Sequence, residues 1–370
     1  GFAVLWNLIS APAAFQVVGI WHKEGPIALL ILLFPVVGMG LLYWAIKLTR
    51  EWRRFGVTQL TLDPFPGSID GDVGGKVQVN TPFKGGMLCR VTLSHIYSYT
   101  SGSGKNRSRK EEVKWQDDGY ARIVPEGRGV ELQFRFEVPT GLRESEEASS
   151  RYYFWRLNVE LEMEGVDMDR SFEIPVFNTG GSSRYITFNS STEQPSGVPR
   201  ITAESLLPMT RTGHRKIIHY RALRKPGRSL GLLILGGIFA GAGIFLWGEA
   251  AKEGGMLYFM AGIFGLVGWS VVIGAIYSAF NSLHVSLDGR YIVSTRSFLG
   301  LPVNRKTGRY SNVLEIVAKE GMKSSSGHKH RIEYSVVAKL SGKNITLAEH
   351  LDSASKKNLV IKYFENELSP

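Results

Sequence analysis

Two histidines give the sequence its best metal-like pair. His328 and His330, in the run GHKH, stand at i and i+2, so on a strand they share a face and could both reach one ion. No third histidine and no local cysteine or carboxylate stands with them, whereas zinc usually takes three or four protein ligands. A solvated loop edge is the favoured interpretation, and we predict no metal site.

Other candidate residues fail on spacing. Cys89 and His95 are six residues apart, about 20 Å along a strand, which is too far for a thiol–imidazole dyad, so both are predicted to be core residues. The adjacent acids Glu111–Glu112 and Asp117–Asp118 would point to opposite faces of a strand.

Residues 101–105, SGSGK, resemble a phosphate-binding loop only superficially. Tyr99 stands where the loop needs its first glycine, and Asn106 stands where it needs Ser or Thr. The nucleophile elbow, the HExxH motif and the dinucleotide fingerprint are absent from the sequence as well. We therefore predict no catalytic residue and no cofactor, and an enzyme stays open only through residues that the fold brings together.

The chain is a mixture of strongly apolar and polar parts. Its 370 residues include 44% hydrophobic and 21% charged residues, and a single cysteine excludes a disulfide framework. Residues 27–46, 229–248 and 255–280 carry no charge and reach the roughly 20 residues that a membrane helix needs. Residues 2–21 are a weaker fourth span because Asn7, Ser10 and Gln16 interrupt them. We predict four transmembrane helices.

Eleven basic residues flank these spans on one side. The opposite loops hold just Lys23 and Lys252, so the positive-inside rule places the polar regions in the cytoplasm. The same charges could bind anionic lipid, or they could be no more than a topology signal, and both interpretations stay open. Nucleic acid is not expected, since no recognition motif is present. The predicted membrane-surface residues are Arg50, Arg53, Arg54, Arg215, Lys216, Arg221, Arg224, Lys225 and Arg228.

Small residues recur in the last two spans. Gly237 and Gly241 form GxxxG, and Ala261 and Gly265 form a similar pair, which favours close packing of these helices over a general enrichment of glycine. The three strong spans contain no ionisable residue, unlike the spans of most pumps and channels.

Two polar regions read as β modules. Strict alternation in 130–138 and 155–163 predicts half-buried strands of a sandwich over 57–205. Residues 178–215 are predicted to form a long connector after these strands. Residues 281–370 predict several strands, a tight turn at Asp288–Gly289 and a final helix over 353–368, capped by Asp352 or Ser353. Strands closed by one C-terminal helix are the order of a pleckstrin-homology-like barrel.

A family resemblance covers residues 1 to about 177. The runs GFAVLWNLISAPAAF, LLFPVVGMGLLYWAI and RRFGVTQLTLDPFPGSIDGDVGGKVQV resemble a bacterial multi-pass inner-membrane family, a domain of unknown function. The stretches GDVGGKVQV to FRFEVPTGL and YYFWRLNVELEMEGVDMDRSFEIPVF are similar to an arrestin-like, immunoglobulin-type sandwich. The tail is more loosely similar to bacterial pleckstrin-homology-like domains. The resemblance implies architecture and a bacterial inner membrane, and no reaction.

Together these patterns predict a membrane α-helical plus all-β protein. Four transmembrane helices would carry a cytosolic β-sandwich and a C-terminal barrel-like module closed by a helix. The expected function is a non-enzymatic scaffold or accessory subunit that binds membrane or cytosolic proteins. A second copy of the chain is a further candidate partner. The alternative is a lipid-binding or transport-associated protein that uses the basic residues beside the spans. The predicted domains are 1–56 (spans 2–21 and 27–46), 57–205 (sandwich and flexible linker), 206–280 (basic segment and spans 229–248 and 255–280) and 281–370.

Overall fold

The chain folds into two compact units. The computed structural model describes residues 2–10, 12, 33–102, 107–195, 197–213, 215–253, 255–326 and 329–368. The first unit comprises Gly1–Pro199 and Lys323–Arg331, and the second comprises Arg200–Met322 and Ile332–Pro370.

Ten strands form the first unit within the residues that the structure describes. They are β1 (Gln59–Leu62), β2 (Gly67–Ser68), β3 (Gly71–Val79), β4 (Leu88–Ser101), β5 (Ser108–Tyr120), β6 (Arg122–Glu126), β7 (Gly129–Val138), β8 (Arg151–Glu162), β9 (Met168–Ile174) and β10 (Val176–Phe177). Two four-stranded antiparallel sheets have the orders β1-β3-β7-β6 and β5-β4-β8-β9, while β2 and β10 form a short parallel pair.

Alternating apolar side chains form the core of this unit. Leu132, Phe134 and Phe136 of β7 are fully buried, as are Leu157 and Val159 of β8. Each such side chain contributes about 1.5–3 kcal/mol when it is removed from water. The predicted two-residue alternation is confirmed from Leu132 to Val138 of β7, whereas in β8 Arg156 and Asn158 on the opposite face are buried as well.

The segment after β10 belongs to the sandwich, which differs from the predicted connector. The amide of Ser190 donates to the Arg135 carbonyl of β7 at 2.8 Å, and the Ser190 carbonyl accepts from the Tyr120 amide of β5 at 3.0 Å. The Ser183 amide donates to the Asp72 carboxylate at 2.9 Å. Small polar residues here supply hydrogen bonds that join the two sheets, so a composition typical of a linker was misleading.

Two described helices of the first unit overlap the first two predicted spans, and the second helix continues nine residues beyond the predicted end at 46. Residues 2–10 (α1) are helical, and α2 covers Leu33–Phe55. The Asn7 side chain donates to the Gly38 carbonyl at 2.8 Å, so this polar residue joins the two helices. The remainder of the predicted spans, at 11, 13–21 and 27–32, lies outside the described residues.

The second unit contains the other helices and strands. They are α3 (Ala203–Leu206), β11 (Met209–Thr212), β12 (Arg215–Tyr220), α4 (Pro226–Glu253), α5 (Met256–Phe280), β13 (Asn281–Leu287), β14 (Tyr291–Phe298), β15 (Leu301–Arg309), β16 (Val313–Ser326), β17 (Lys329–Leu340), β18 (Lys343–Leu351) and α6 (Ala354–Leu368). The sheet orders are β11-β12-β13-β14-β15 and β16-β17-β18. The tip of the β16–β17 hairpin, Lys323–Arg331, is the part that belongs to the first unit.

Helices α4 and α5 interrupt a sheet. Strands β12 and β13 are adjacent and antiparallel, with Tyr220 opposite Leu283, so both helices are inserted between two neighbouring strands. Residues 209–220 therefore belong to the C-terminal β module, whereas the sequence assigned them to the linker and the basic juxtamembrane segment. The reason is a long-range pairing that local composition does not reveal.

Two described helices are long and apolar enough to cross a membrane. They are Pro226–Ala251 and Met256–Phe280, with mean hydropathy 2.2 and 2.1. Most of their large apolar side chains are exposed, including Ile244, Leu266 and Ile273. An exposed apolar surface of this extent is typical of a helix that lipid or another protein covers.

Candidate functional site

Close backbone contact holds α4 against α5. A Cβ atom added to Gly268 would lie 2.2 Å from the Ala240 amide nitrogen, and one added to Gly243 would lie 2.5 Å from the Gly265 nitrogen. By contrast, a Cβ atom on Gly237 or Gly241 would meet nothing within 4 Å.

The predicted contact residues of α4, Gly237 and Gly241, therefore lie one residue away from the observed contact. The residues of α4 that approach α5 are Gly236, Ala240 and Gly243, while Ala261 of α5 is buried as expected. The GxxxG pair at Gly237 and Gly241 lies off this contact, because a one-residue step turns a helix by about 100°.

The last turn of α5 is fastened to the β module. The Leu223 amide donates to the Ala279 carbonyl at 2.6 Å, and the Leu299 amide donates to the Phe280 carbonyl at 3.3 Å. These bonds satisfy carbonyls that a helix end leaves without an intrahelical partner. The Tyr277 ring also stacks on Phe298, with centroids 5.5 Å apart.

Arg224 fastens the connection between β12 and α4. Its guanidinium donates to Glu349 at 3.0 Å, to the Asn281 carbonyl at 3.2 Å and to the Arg221 carbonyl at 2.9 Å. Arg296 also pairs with Glu349. Burial alone would raise the pKa of Glu349, but Arg296 and Arg224 outweigh burial and hold this pKa below its usual range.

Two lysines of the predicted basic set also have acidic partners. Lys225 pairs with Glu333, which accepts a second contact from His350 at 2.7 Å. The His350 hydrogen bond and the Lys225 charge outweigh burial and lower the pKa of Glu333 to about 2. Lys216 pairs with Glu367 of α6; burial would lower the Lys216 pKa, but this hydrogen bond raises it.

The rest of the basic set in the second unit is exposed. Arg215, Arg221 and Arg228 have exposed side chains. Arg215 begins β12, and Arg221 follows the end of that strand beside α4, about 20 Å away at the usual rise per residue. Arg221 is therefore much closer to the candidate spans than Arg215.

The C-terminal end of α2 is fastened to β9 and the turn before it. Glu51, which is 5% exposed, pairs with Arg170 and accepts the Asp169 amide at 3.2 Å. Arg54 donates to the Glu164 carbonyl at 2.7 Å. Arg50 and Arg53 are exposed. Arg54 is thus a structural contact, while Arg50 and Arg53 are accessible.

A groove lies between this end of α2 and strands β8 and β9. Its volume is about 1240 Å³. Trp44 and Trp52, each 60% exposed, give it aromatic surface. Its lining carries a net negative charge, although Lys329 pairs with both Glu160 and Asp169 at 2.8 Å. The acids are Glu51, Glu160, Glu162, Glu164, Asp167 and Asp169, and the bases are Lys47, Arg170 and Lys329. Sequence reasoning missed this groove because its lining comes from segments more than a hundred residues apart.

His330 is 4% exposed and lies on β17, so the predicted solvated loop edge is wrong for this histidine. The His330 imidazole lies 2.8 Å from the Glu111 carboxylate and 2.7 Å from the Arg156 guanidinium. His328 and residues 103–106 of the SGSGK run lie outside the described residues. Cys89 is fully buried, and burial raises the pKa of its thiol. Across the described ranges, no group of three His, Cys, Asp or Glu side chains could hold a metal ion.

Comparisons with known proteins add little to this description. No protein-family model matches the sequence, and no curated protein matches it either. Among solved structures, the chain is similar to Spo0M, a sporulation control protein from Bacillus subtilis, at 11% identity and a TM-score of 0.24, over 69% of this chain and 90% of that one. A TM-score this low supports no conclusion about the protein. Its strand order and helices define a β-rich protein with an apolar helical hairpin, α4 and α5.

Proposed function

We propose that this protein is a non-enzymatic scaffold or accessory subunit of a bacterial inner-membrane complex. Four membrane helices would anchor its two β units at the cytoplasmic face, with an arrestin-like sandwich and a pleckstrin-homology-like module. The insertion of α4 and α5 between β12 and β13 supports the anchoring, because a membrane-spanning hairpin at that point would attach one sheet to the bilayer through two adjacent strands.

The groove beside α2 is the observation that carries the binding role. Exposed tryptophans are the residue type most often found at energetic centres of protein interfaces. The net negative charge around Trp44 and Trp52, to which Glu162 contributes, would attract a basic segment, and membrane proteins concentrate Lys and Arg in the cytoplasmic stretches beside their own spans. The proposed partner therefore presents a basic juxtamembrane segment.

Purification from native membranes in gentle detergent tests this role. Trp52→Ala with Glu162→Lys should lose a co-purifying membrane protein, because the pair removes aromatic surface and reverses a charge in the groove. The matched control, Ile186→Ala with Glu126→Lys, changes an exposed apolar residue and an exposed acid outside the groove. If both variants retain the same partners, or if the unaltered protein has none, the scaffold role is wrong.

Lipid binding is the second candidate, and the exposed arginines favour it. Arg50, Arg53 and Arg221 are accessible, whereas Lys216, Arg224 and Lys225 are engaged with acids of the β module. Arg221→Gln should weaken binding of the detergent-solubilised protein to vesicles that contain phosphatidylglycerol, by roughly 1 kcal/mol, and leave stability unchanged. Arg224→Gln should instead lower thermal stability. Equal vesicle binding by Arg221→Gln and the unaltered protein would contradict this candidate.

A further inference from the structure

Two leucines adopt left-handed backbone at the end of α5. Leu223 has φ of 57° and Leu299 has φ of 51°. This conformation costs an L-residue with a bulky side chain roughly 1–2 kcal/mol, and Asn or Gly normally occupies it. Both leucines donate their amides to the last α5 carbonyls, at Ala279 and Phe280. The fold therefore places two leucine side chains beside the end of α5, although leucine disfavours the left-handed backbone conformation there.

The turn between β14 and β15 shows the same choice of residue. Phe298 pairs with Leu301, so Leu299 and Gly300 alone connect the strands, and both have positive φ. Two-residue hairpin turns of this kind favour Asn-Gly or Asp-Gly. The turn conformation therefore does not explain the leucine at the tip.

These leucines belong to a larger exposed apolar set, here named the apolar collar. Its members are Leu223, Leu299, Leu301 and Val303, which are 53%, 59%, 71% and 62% exposed. Val303 lies at the register shift between β14 and β15, where β15 carries one extra residue. The collar is continuous with α5 through the two hydrogen bonds and through the stacking of Tyr277 on Phe298.

We infer that the apolar collar inserts into the bilayer interface around the end of α5. This inference rests on the proposed membrane anchoring, because α5 must span the bilayer for its last turn to lie at the interface. Residues at the level of a span end meet the headgroup and upper acyl region, where exposed leucines are covered by lipid. Arg221 precedes Leu223 and Arg305 follows Val303, and both are exposed and placed to meet lipid phosphates.

A label on the collar tests this insertion in the full chain. Leu299→Cys and Leu301→Cys are each labelled with an environment-sensitive fluorophore. The protein is reconstituted in phosphatidylcholine vesicles that contain lipid with a nitroxide near the headgroup, which tests the collar, or deep on the acyl chain, which tests positions within α5. Native Cys89 is 0% exposed, so the introduced thiol is the one that reacts. We expect loss of fluorescence at both positions.

Two further positions make the outcomes distinct. Leu314→Cys is the matched control, since Leu314 is a 74% exposed leucine that follows the Tyr310–Asn312 turn, and the Tyr310 amide bonds to Arg290 at the opposite end of β14 from the collar. It should not be quenched. Leu266→Cys reports on α5 itself and should be quenched if α5 lies in lipid.

Each contrary result has its own meaning. If Leu266→Cys is quenched but Leu299→Cys and Leu301→Cys are not, insertion of the collar is wrong while the membrane anchoring still holds. No quenching at Leu266→Cys overturns both. A blue-shifted but unquenched label at Leu299→Cys shows that protein covers the collar, which also overturns the inference.

Discussion

His95 lies in the sandwich core among aromatic rings. It stacks on Tyr153 and packs against Trp155, with centroids 5.2 Å and 4.7 Å away, and neither ring nitrogen has a hydrogen-bond partner among the described residues. Burial, with a smaller effect of Lys114, lowers the pKa of His95 to about 4 from an ordinary 6.5. The folded protein thus keeps this imidazole neutral where the unfolded chain would protonate it.

Acid should destabilise the fold through this residue. Between pH 6.5 and about 4 the unfolded chain binds a proton at His95 that the folded chain does not, so the free energy of unfolding falls as pH falls, by about 3 kcal/mol at most. Urea unfolding followed by tryptophan fluorescence at pH 7 and pH 4.5 measures this loss. His95→Phe keeps an aromatic ring and should reduce the pH dependence. An unchanged dependence would rule out His95 as its source.

Gly119 of β5 leaves room for the chain after β10, which passes Gly119 at Ser190 and joins the two sheets. A Cβ atom there would lie 1.9 Å from the Ser190 carbonyl oxygen, so Gly119→Ala must push this segment away from β5. We expect a loss of about 1–3 kcal/mol in unfolding free energy. Gly85→Ala is the control, because its Cβ would meet nothing within 4 Å. Equal thermal stability of the two variants would show that the segment is not held by this contact.

At the scale of elements, the contact between α4 and α5 predicts an asymmetry between glycines. Gly268→Leu places a side chain against the Ala240 backbone and should separate the helices, whereas Gly237→Leu adds a side chain in open space. Thermal unfolding in detergent, or cross-linking between cysteines introduced on the two helices, should detect the first change and not the second. The reverse order would show that Gly237 and Gly241 form the contact.

The sequence predicted elements well where one local period determines them. The α6 stripe of Val360, Phe364 and Leu368 is buried as expected, and the Ser353 hydroxyl caps the helix by accepting the Lys356 amide at 3.3 Å. It missed β15, whose residues Leu301–Thr307 are all exposed and show no alternation. It also placed β12 in the basic juxtamembrane segment, because the pairing of β12 with β13 spans both apolar helices.

The candidate site was predictable only in part, for the same reason. The eleven basic residues beside the predicted spans are visible in the sequence. The acidic partners of Lys216, Arg224 and Lys225 are not, because Glu367, Glu349 and Glu333 come more than a hundred residues later. Charge counting therefore could not separate Arg221, which is accessible, from Arg224, which is paired. The collar leucines were likewise invisible, since only backbone conformation distinguishes them from ordinary surface leucines.

At the scale of the whole molecule, the β module of the second unit should fold without its helical hairpin. Strands β12 and β13 are antiparallel neighbours, so replacing residues 223–280 with a short Gly-Ser linker keeps their ends within reach. Hydrogen exchange should find the β12 to β14 amides still protected in the altered full chain. Loss of protection throughout these strands would show that the sheet depends on α4 and α5 for stability.

The position of the hairpin has a consequence for synthesis. The chain is made from its N-terminus, so β12 leaves the ribosome before α4 and α5, while its partner β13 emerges only after both helices. Until then one edge of β12 has only unpaired amides and carbonyls, which is a hazard for aggregation. The sheet is therefore completed only after both helices have been synthesised, and β12 is open to chaperones and proteases until β13 emerges.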